Sequence, residues 1–238
     1  MKLIIDIGNT RTKVALFEGK DIVLSSDFDI CSLQAINDFV KSKNVSSTII
    51  CTVKLMDSEI LSIIDHYDAL VFSEETPIPV TNKYKTPSTL GKDRLALVVG
   101  AYAVYPNQDI LVFDAGTCLT MDFINKKGEY IGGRISPGIN MRYRALHNFT
   151  DNLPLITQEK TVEFIGSDTR SSIISGVQQG VLAEIRSMIS EYSSKKSDIV
   201  FIITGGDCFF FEKELKNTIF AKPNLILYGL NEILDFNV

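Results

Sequence analysis

The chain lacks paired cysteines: Cys31, Cys51, Cys118 and Cys208 show no Cys-x-x-Cys spacing, and its two histidines, His66 and His147, stand far apart. That excludes the usual ligand spacings of a zinc site, and the cysteines read as reduced thiols of a cytoplasmic protein. No stretch approaches the ~20 apolar residues that a membrane span needs. The opening apolar run, Leu3 to Ile5, is interrupted by Asp6 and is too short for a secretory segment. Lys and Arg form no cluster, and with a net charge of -5 and a pI near 5.1 there is no electrostatic footprint for nucleic acid, hence none for a transcriptional regulator. Neither Gly-x-x-x-x-Gly-Lys-Ser/Thr nor Gly-x-Gly-x-x-Gly occurs, so a nucleotide, if bound, is held by some device other than a P-loop or a dinucleotide fingerprint.

What is present is an ordinary globular composition, 45% hydrophobic and 22% charged over 238 residues, enough for two modest lobes or one larger domain. The most informative feature is a repeat. Asp6-Ile7-Gly8-Asn9-Thr10 and Asp114-Ala115-Gly116-Thr117 each follow a short apolar run. At the end of a strand, glycine lets backbone N–H groups approach a phosphate, threonine adds a hydroxyl donor, and aspartate can hold a hydrated metal ion. A single copy is an ordinary hairpin turn. The flanks match as well, however. Thr12–Phe17, a turn at Glu18-Gly19-Lys20 and a strand from Asp21 follow the first copy; Leu119–Ile124, a turn at Lys126-Lys127-Gly128 and a strand from Tyr130 follow the second. The turn glycine comes 13 positions after Asp6 and 14 after Asp114, so a duplicated unit of strand, loop, strand, turn and strand is the economical reading.

Between and after the two meanders, apolar periodicity predicts helices over residues 33–43 and 55–67, with buried strands at Thr48–Val53 and Ala69–Phe72. Residues 74–89, with Pro77, Pro79 and Pro87, read as a loop. A helix follows whose first turn carries Asp93 and Arg94, whose apolar face holds Leu95, Val98, Val99 and Tyr102, and which Pro106 ends. Further helices are expected from a start at Ser136-Pro137-Gly138 through Met141 and Leu146, after Gly166–Thr169 to about Tyr192 and over Asn231–Phe236, and Ile199–Thr204 reads as a strand closing on Gly205-Gly206. The apolar span from Leu95 to Val104 serves a core or a subunit interface equally well. Both halves then give a mixed sheet with helices on its faces.

Two short elements carry candidate chemistry besides the loops. Gly205-Gly206, at a third strand end, leaves room for an adenosine to lie against the backbone. In Gly91-Lys92-Asp93-Arg94, Asp93 can take a proton from a substrate hydroxyl and Arg94 can make a bidentate contact with a carboxylate or phosphate. The plainer alternative is that Asp93 complements the dipole of a helix start and Arg94 sits on a solvated face.

Taken together, the stretch from Asp6 to Lys13, Gly91-Lys92-Asp93-Arg94, Asp114 to Thr117, Ile135-Ser136-Pro137-Gly138 and Thr204-Gly205-Gly206 resemble, in order and across nearly the whole chain, the type III pantothenate kinases. That family belongs to the superfamily of acetate and sugar kinases, heat-shock chaperones and actin. The resemblance implies an α/β fold of two ribonuclease-H-like lobes, 1–106 with the first phosphate loop and 107–238 with the second loop and the adenosine motif, with nucleotide between them. It implies that ATP phosphorylates pantothenate to 4'-phosphopantothenate, the first step of coenzyme A biosynthesis, in a cytoplasmic homodimer without nucleic-acid or membrane partners. By motif it assigns Asp6, Ile7, Gly8, Asn9, Thr10, Arg11, Thr12, Lys13 and Thr117 to ATP, with Asp6 on Mg2+ through water. Gly205 and Gly206 join them at the nucleotide. Asp93 becomes the proton acceptor, and Tyr84, Gly91, Lys92, Asp93, Arg94 and Thr169 line the pantothenate site. Asp114 would bind a monovalent cation, K+ or NH4+. The alternatives within the superfamily are another small-molecule kinase or a nucleotide-switch ATPase, both ordinarily built on longer chains.

Overall fold

A computed structural model describes residues 1–41, 43–160, 163–196, 198–216 and 218–238. The chain opens with a meander of β1 (Lys2–Ile7), β2 (Thr12–Glu18) and β3 (Asp21–Phe28), then α1 (Leu33–Val40), β4 (Ser47–Thr52), α2 (Ser58–Tyr67) and two short strands, β5 (Leu70–Val71) and β6 (Thr81–Asn82). After a 3-10 turn at Pro87–Thr89 come α3 (Lys92–Val104), β7 (Asp109–Ala115), β8 (Cys118–Ile124), β9 (Glu129–Pro137), α4 (Ile139–Asn148) and α5 (Thr169–Lys195). Strand β10 (Ile199–Thr204), α6 (Cys208–Leu215), β11 (Phe220–Ala221) and α7 (Leu225–Asn237) complete the order.

The repeat read from sequence reappears as topology. One sheet runs β3-β2-β1-β4-β5, and the other contains the same succession in its own numbering, β9-β8-β7-β10-β11, with β6 added beside β9. In the first, β1 is antiparallel to β2 and parallel to β4; in the second, β7 is parallel to β10 and β10 to β11. The central strands are buried on both faces, which is why they read as unbroken apolar runs rather than alternations: Leu3, Ile4, Ile5 and Ile7 of β1 are fully buried, as are Ile110 and Leu111 of β7.

The chain divides into two compact units. The first holds Met1–Asn107, Ile124–Gly132 and Asn224–Val238, and the second Gln108–Phe123 and Gly133–Pro223. The sequence-based cut after Pro106 thus lies one residue from the first of these boundaries, while the 124–132 hairpin and the C-terminal helix pack with the N-terminal segment. One core gathers Leu3, Ile5, Val14, Leu16, Ile36, Ile50 and Ile63. The other gathers Leu111, Phe113, Ile139, Val181, Ile185 and Ile203. Fully burying one such side chain contributes about 1.5–3 kcal/mol.

Several elements differ from the sequence reading for identifiable reasons. Asp57 accepts a hydrogen bond from the Ile60 N–H at 2.9 Å and so starts α2 after Met56, leaving Leu55 in a loop with 92% of its surface exposed. Helix α1 ends at Val40, where Lys41 adopts φ 52°; Ser42, inside the expected helix, lies outside the described residues. Helix α3 is no amphipathic stripe: every residue from Arg94 to Ala101 is buried. It packs on α7, which begins at Leu225 rather than Asn231. The two helices cross glycine on glycine, since a Cβ on Gly229 would lie 1.8 Å from the Ala96 carbonyl oxygen and one on Gly100 would lie 2.5 Å from that of Leu225. The core role of the span from Leu95 onward, rather than an interface role, follows from this crossing.

Candidate active site

In the first unit, the loop after β1 is a tight turn in which the Gly8 N–H donates to the Arg11 carbonyl at 3.0 Å. Its flanks are anchored and its tip is open: Asp6, Ile7 and Thr12 are buried, whereas Asn9, Thr10 and Arg11 are exposed. The register places Asp6 opposite Lys13 on β2 and opposite Cys51 on β4, so a carboxylate, an ammonium-bearing residue and a thiol share one end of the sheet. In open α/β sheets that end, beyond the carboxyl ends of the parallel strands, is where ligands bind.

Asp93 reaches the same place from α3. It stands in the first turn, and its Oδ1 accepts a hydrogen bond from the Arg94 N–H at 2.8 Å. Gly91 leaves room for the carboxylate in this position, because a Cβ there would lie 2.5 Å from that Oδ1 and make the side chain turn. The Cys51 thiol reports the convergence. Burial pushes its pKa well above the ordinary thiol value, the carboxylates of Asp6 and Asp93 push in the same direction, and Lys92 pulls the other way. The two aspartates that the motifs single out therefore act on one buried sulfur, although 87 residues separate them in sequence.

Arg94, only 5% exposed, does not lie on a solvated face. Its guanidinium carbon sits 5.8 Å from the centre of the Tyr84 ring, and Tyr84 stacks on Tyr130 at 6.0 Å with an interplanar angle of 11°. Tyr84 is held at this point because β6 pairs with the start of β9 and because its N–H donates to the Asn82 side chain. Gly91, Lys92, Asp93, Arg94 and Tyr84, five of the six residues assigned to a substrate, thus come together within one unit. The sixth, Thr169, belongs to the other unit, exposed on the first turn of α5 behind a capping box between Asp168 and Ser171.

In the second unit, Asp114 and Thr204 are register partners on β7 and β10, so the second Asp-x-Gly-Thr loop and Gly205-Gly206 leave the sheet side by side. The fit is tight. Gly205 has φ 89°, and a Cβ on it would lie 2.4 Å from both Asp114 Oδ1 and the Ala115 carbonyl oxygen. The Asp207 N–H then donates to the Ala115 carbonyl at 3.0 Å. A third turn closes on the loop from above β9: the Gly138 N–H donates to the Thr117 carbonyl at 3.2 Å, and a Cβ on Gly138 would lie 2.2 Å from the Gly116 carbonyl oxygen. Asp207, whose carboxyl burial holds above the usual range, received no role from the sequence. Its position directly after Gly205-Gly206 was the only signal for it.

Among the described residues no group of three His, Cys, Asp or Glu side chains is assembled to hold a metal ion. None of the four cysteines is in a disulfide, and no helix among the described residues is long and apolar enough to cross a membrane.

The sequence matches the family model of type III pantothenate kinase over residues 2–191. It is 43% identical to a type III pantothenate kinase of Bacteroides fragilis, the alignment covering 100% of this chain and 98% of that one. With the type III pantothenate kinase of Christiangramia forsetii it shares 41% identity over 100% of this chain and 99% of the other. Among solved structures it is similar to a Campylobacter jejuni chain named for a Baf family transcriptional activator, with a TM-score of 0.65, 20% identity and coverage of 99% and 98% of the two chains. Component A of the (R)-2-hydroxyglutaryl-CoA dehydratase of Acidaminococcus fermentans aligns with a TM-score of 0.52 and 16% identity over 99% of this chain and 96% of the other. A ROK family protein from Streptococcus pneumoniae aligns at 0.53 and 12% over 99% of each chain. At such identities the likeness shows the fold alone, the α/β fold of two ribonuclease-H-like lobes found in actin-like ATPases, and leaves chemistry to the site.

Proposed function

The chain belongs to the type III pantothenate kinase family and is an enzyme that phosphorylates pantothenate on the route to coenzyme A, and on that premise we propose that Asp93 is the base that takes the proton of the attacking primary hydroxyl. The observation that carries this reading is that Asp6 is the register partner of Cys51 on β4 while α3, with Asp93 in its first turn, packs on that same strand, which puts a candidate phosphate loop and a proton acceptor on neighbouring elements of one unit. Phosphoryl transfer asks little covalent chemistry of a protein; it asks for positioning and for neutralisation of charge spread over the transferred group. Asp93 serves the first need, oriented by the Arg94 N–H and given space by Gly91. Arg94, with its guanidinium carbon over the Tyr84 ring, suits a planar carboxylate such as that of pantothenate, with Lys92 adding positive charge. The family motif assigns Thr169 to pantothenate as well.

For the nucleotide, Asp6 to Lys13 and Thr117 take the phosphates of ATP, and Gly205 and Gly206 the adenosine. Asp6 fits Mg2+ held through water, because it is a carboxylate at the base of a loop whose tip residues Asn9, Thr10 and Arg11 are exposed; bound there, the ion would supply neutralisation of the terminal phosphates. Asp114 is assigned a monovalent cation, K+ or NH4+, by the family motif, and it stands as a carboxylate at the end of β7 opposite Thr204. The enzyme works in the cytoplasm as a homodimer, a state supported by large apolar side chains standing in solvent on the second unit: Phe149, Phe164 and Ile165 are 88%, 81% and 77% exposed. ADP release measured with ATP and either pantothenate or a panel of sugars tests the substrate. Release should rise with pantothenate alone and fall when sodium replaces potassium; stimulation by a sugar instead would discard the pantothenate reading.

A further inference from the structure

Helix α4 carries a cation where its dipole disfavours one. Arg142 lies in the first turns of the helix, near the partial positive charge of its N-terminus, an unfavourable place for a guanidinium. Yet the side chain is three-quarters buried and folds back over that end. Its Nε donates to the Pro137 carbonyl at 2.8 Å, and its Nη2 donates to Ser136 Oγ at 2.7 Å and to Glu184 Oε2 of α5 at 2.5 Å. Pro137 is followed by Gly138, whose N–H holds the Thr117 carbonyl and whose Cα has no room for a side chain against Gly116. An unbroken chain of contacts therefore runs from α5 through Glu184, Arg142 and the Ser136-Pro137-Gly138 turn to the second phosphate loop.

We propose that Arg142, fixed by Glu184, is a positioning residue that sets the height of the Gly116-Thr117 loop and thereby the enzyme's grip on ATP. The proposal rests on Thr117 being an ATP contact. Lysine at 142 keeps the charge pairing with Glu184 but has no fork to hold the Pro137 carbonyl and Ser136 at once. Glutamine at 184 keeps an acceptor for the guanidinium and removes only the charge.

The test is steady-state kinetics of the full-length enzyme with each substrate varied, alongside thermal melting. Arg142→Gln should raise KM for ATP by about ten- to a hundredfold, as expected for displacing a contact by a fraction of an ångström to an ångström, with KM for pantothenate within about twofold. Arg142→Lys should recover little of that loss, while Glu184→Gln should lose only about threefold. If Arg142→Gln lowers the melting temperature and shifts both KM values together, or if Arg142→Lys restores ATP binding fully, the residue is merely structural and the proposal fails. Thr117→Ala separates the two levels. An unchanged KM for ATP in that variant would sink the ATP reading itself, whereas a raised one beside an unchanged KM in Arg142→Gln would sink only the strut.

Discussion

The two candidate phosphate loops arise from the same sequence pattern and follow corresponding strands, β1 and β7, in their sheets, yet they are held differently. The first is closed by its own turn, Gly8 to Arg11, and its tip residues stand in solvent. The second is braced by two foreign glycine turns, Gly138 and Gly205, each pressed against its backbone with no space for a methyl group. Duplication thus conserves topology without conserving the packing around the loop. The first loop presents an exposed tip near the proposed base, while the second is enclosed by neighbouring turns.

The largest expected effect falls on the chemistry beside the first loop. Asp93→Asn should cut kcat by about 10²- to 10⁴-fold while leaving ATP affinity and the melting temperature near those of the parent, because the amide still accepts the Arg94 N–H. Retained turnover, measured with saturating ATP and pantothenate, removes Asp93 from its role. Glycine substitutions then divide the loops. Gly205→Ala, forced to φ 89° and against the Ala115 carbonyl oxygen, should cost about 3 kcal/mol, roughly 6–12 °C in melting temperature. Gly8→Ala, facing only the Arg11 carbonyl oxygen at 3.1 Å, should melt within a few degrees of the parent and lose ATP affinity instead. Equal losses of stability at both positions would erase the distinction.

A smaller effect concerns the first unit's closing helix. Lys2 pairs with Asp235 at 2.6 Å, and Lys20 with Glu232 at 2.6 Å. Burial by itself would raise the Asp235 carboxyl, but hydrogen bonds from Lys2 and Lys20 bring it below the usual range. A folded-state value below the unfolded one, ~3.9 for Asp, gives stability that is present above that pH and is lost as the pH falls through the folded value. Asp235→Asn should therefore melt about 2–4 °C lower at neutral pH, from roughly 1 kcal/mol, and the gap should close below about pH 4. A gap constant down to acid pH would assign the effect to packing.

Both meanders, the loop of prolines and the Gly91–Arg94 element were legible because each is written in adjacent residues: short apolar runs, turn glycines, a carboxylate at a helix start. What stayed hidden depends on elements distant in sequence. The all-round burial of α3 needs α7, and their approach needs glycine at both 100 and 229, a coincidence no local pattern displays. Helix α6 escaped notice because Phe209, Phe210 and Phe211 form an unbroken aromatic run with no readable period, although Phe211 alone of the three is fully buried. Arg94 was expected in solvent on the plainer reading, and only the stacking of Tyr84 on Tyr130 shows why it is covered. The brace at Gly138 was legible as a motif but not as a contact.

The most direct test of the account is the equilibrium affinity for ATP, by titration calorimetry, of the parent enzyme, of Asp6→Asn in the first loop and of Thr117→Ala in the second. Both variants should weaken ATP by about tenfold or more while binding pantothenate as the parent does. A variant in either loop that binds ATP with parental affinity would contradict the claim that both copies of the repeat carry the nucleotide.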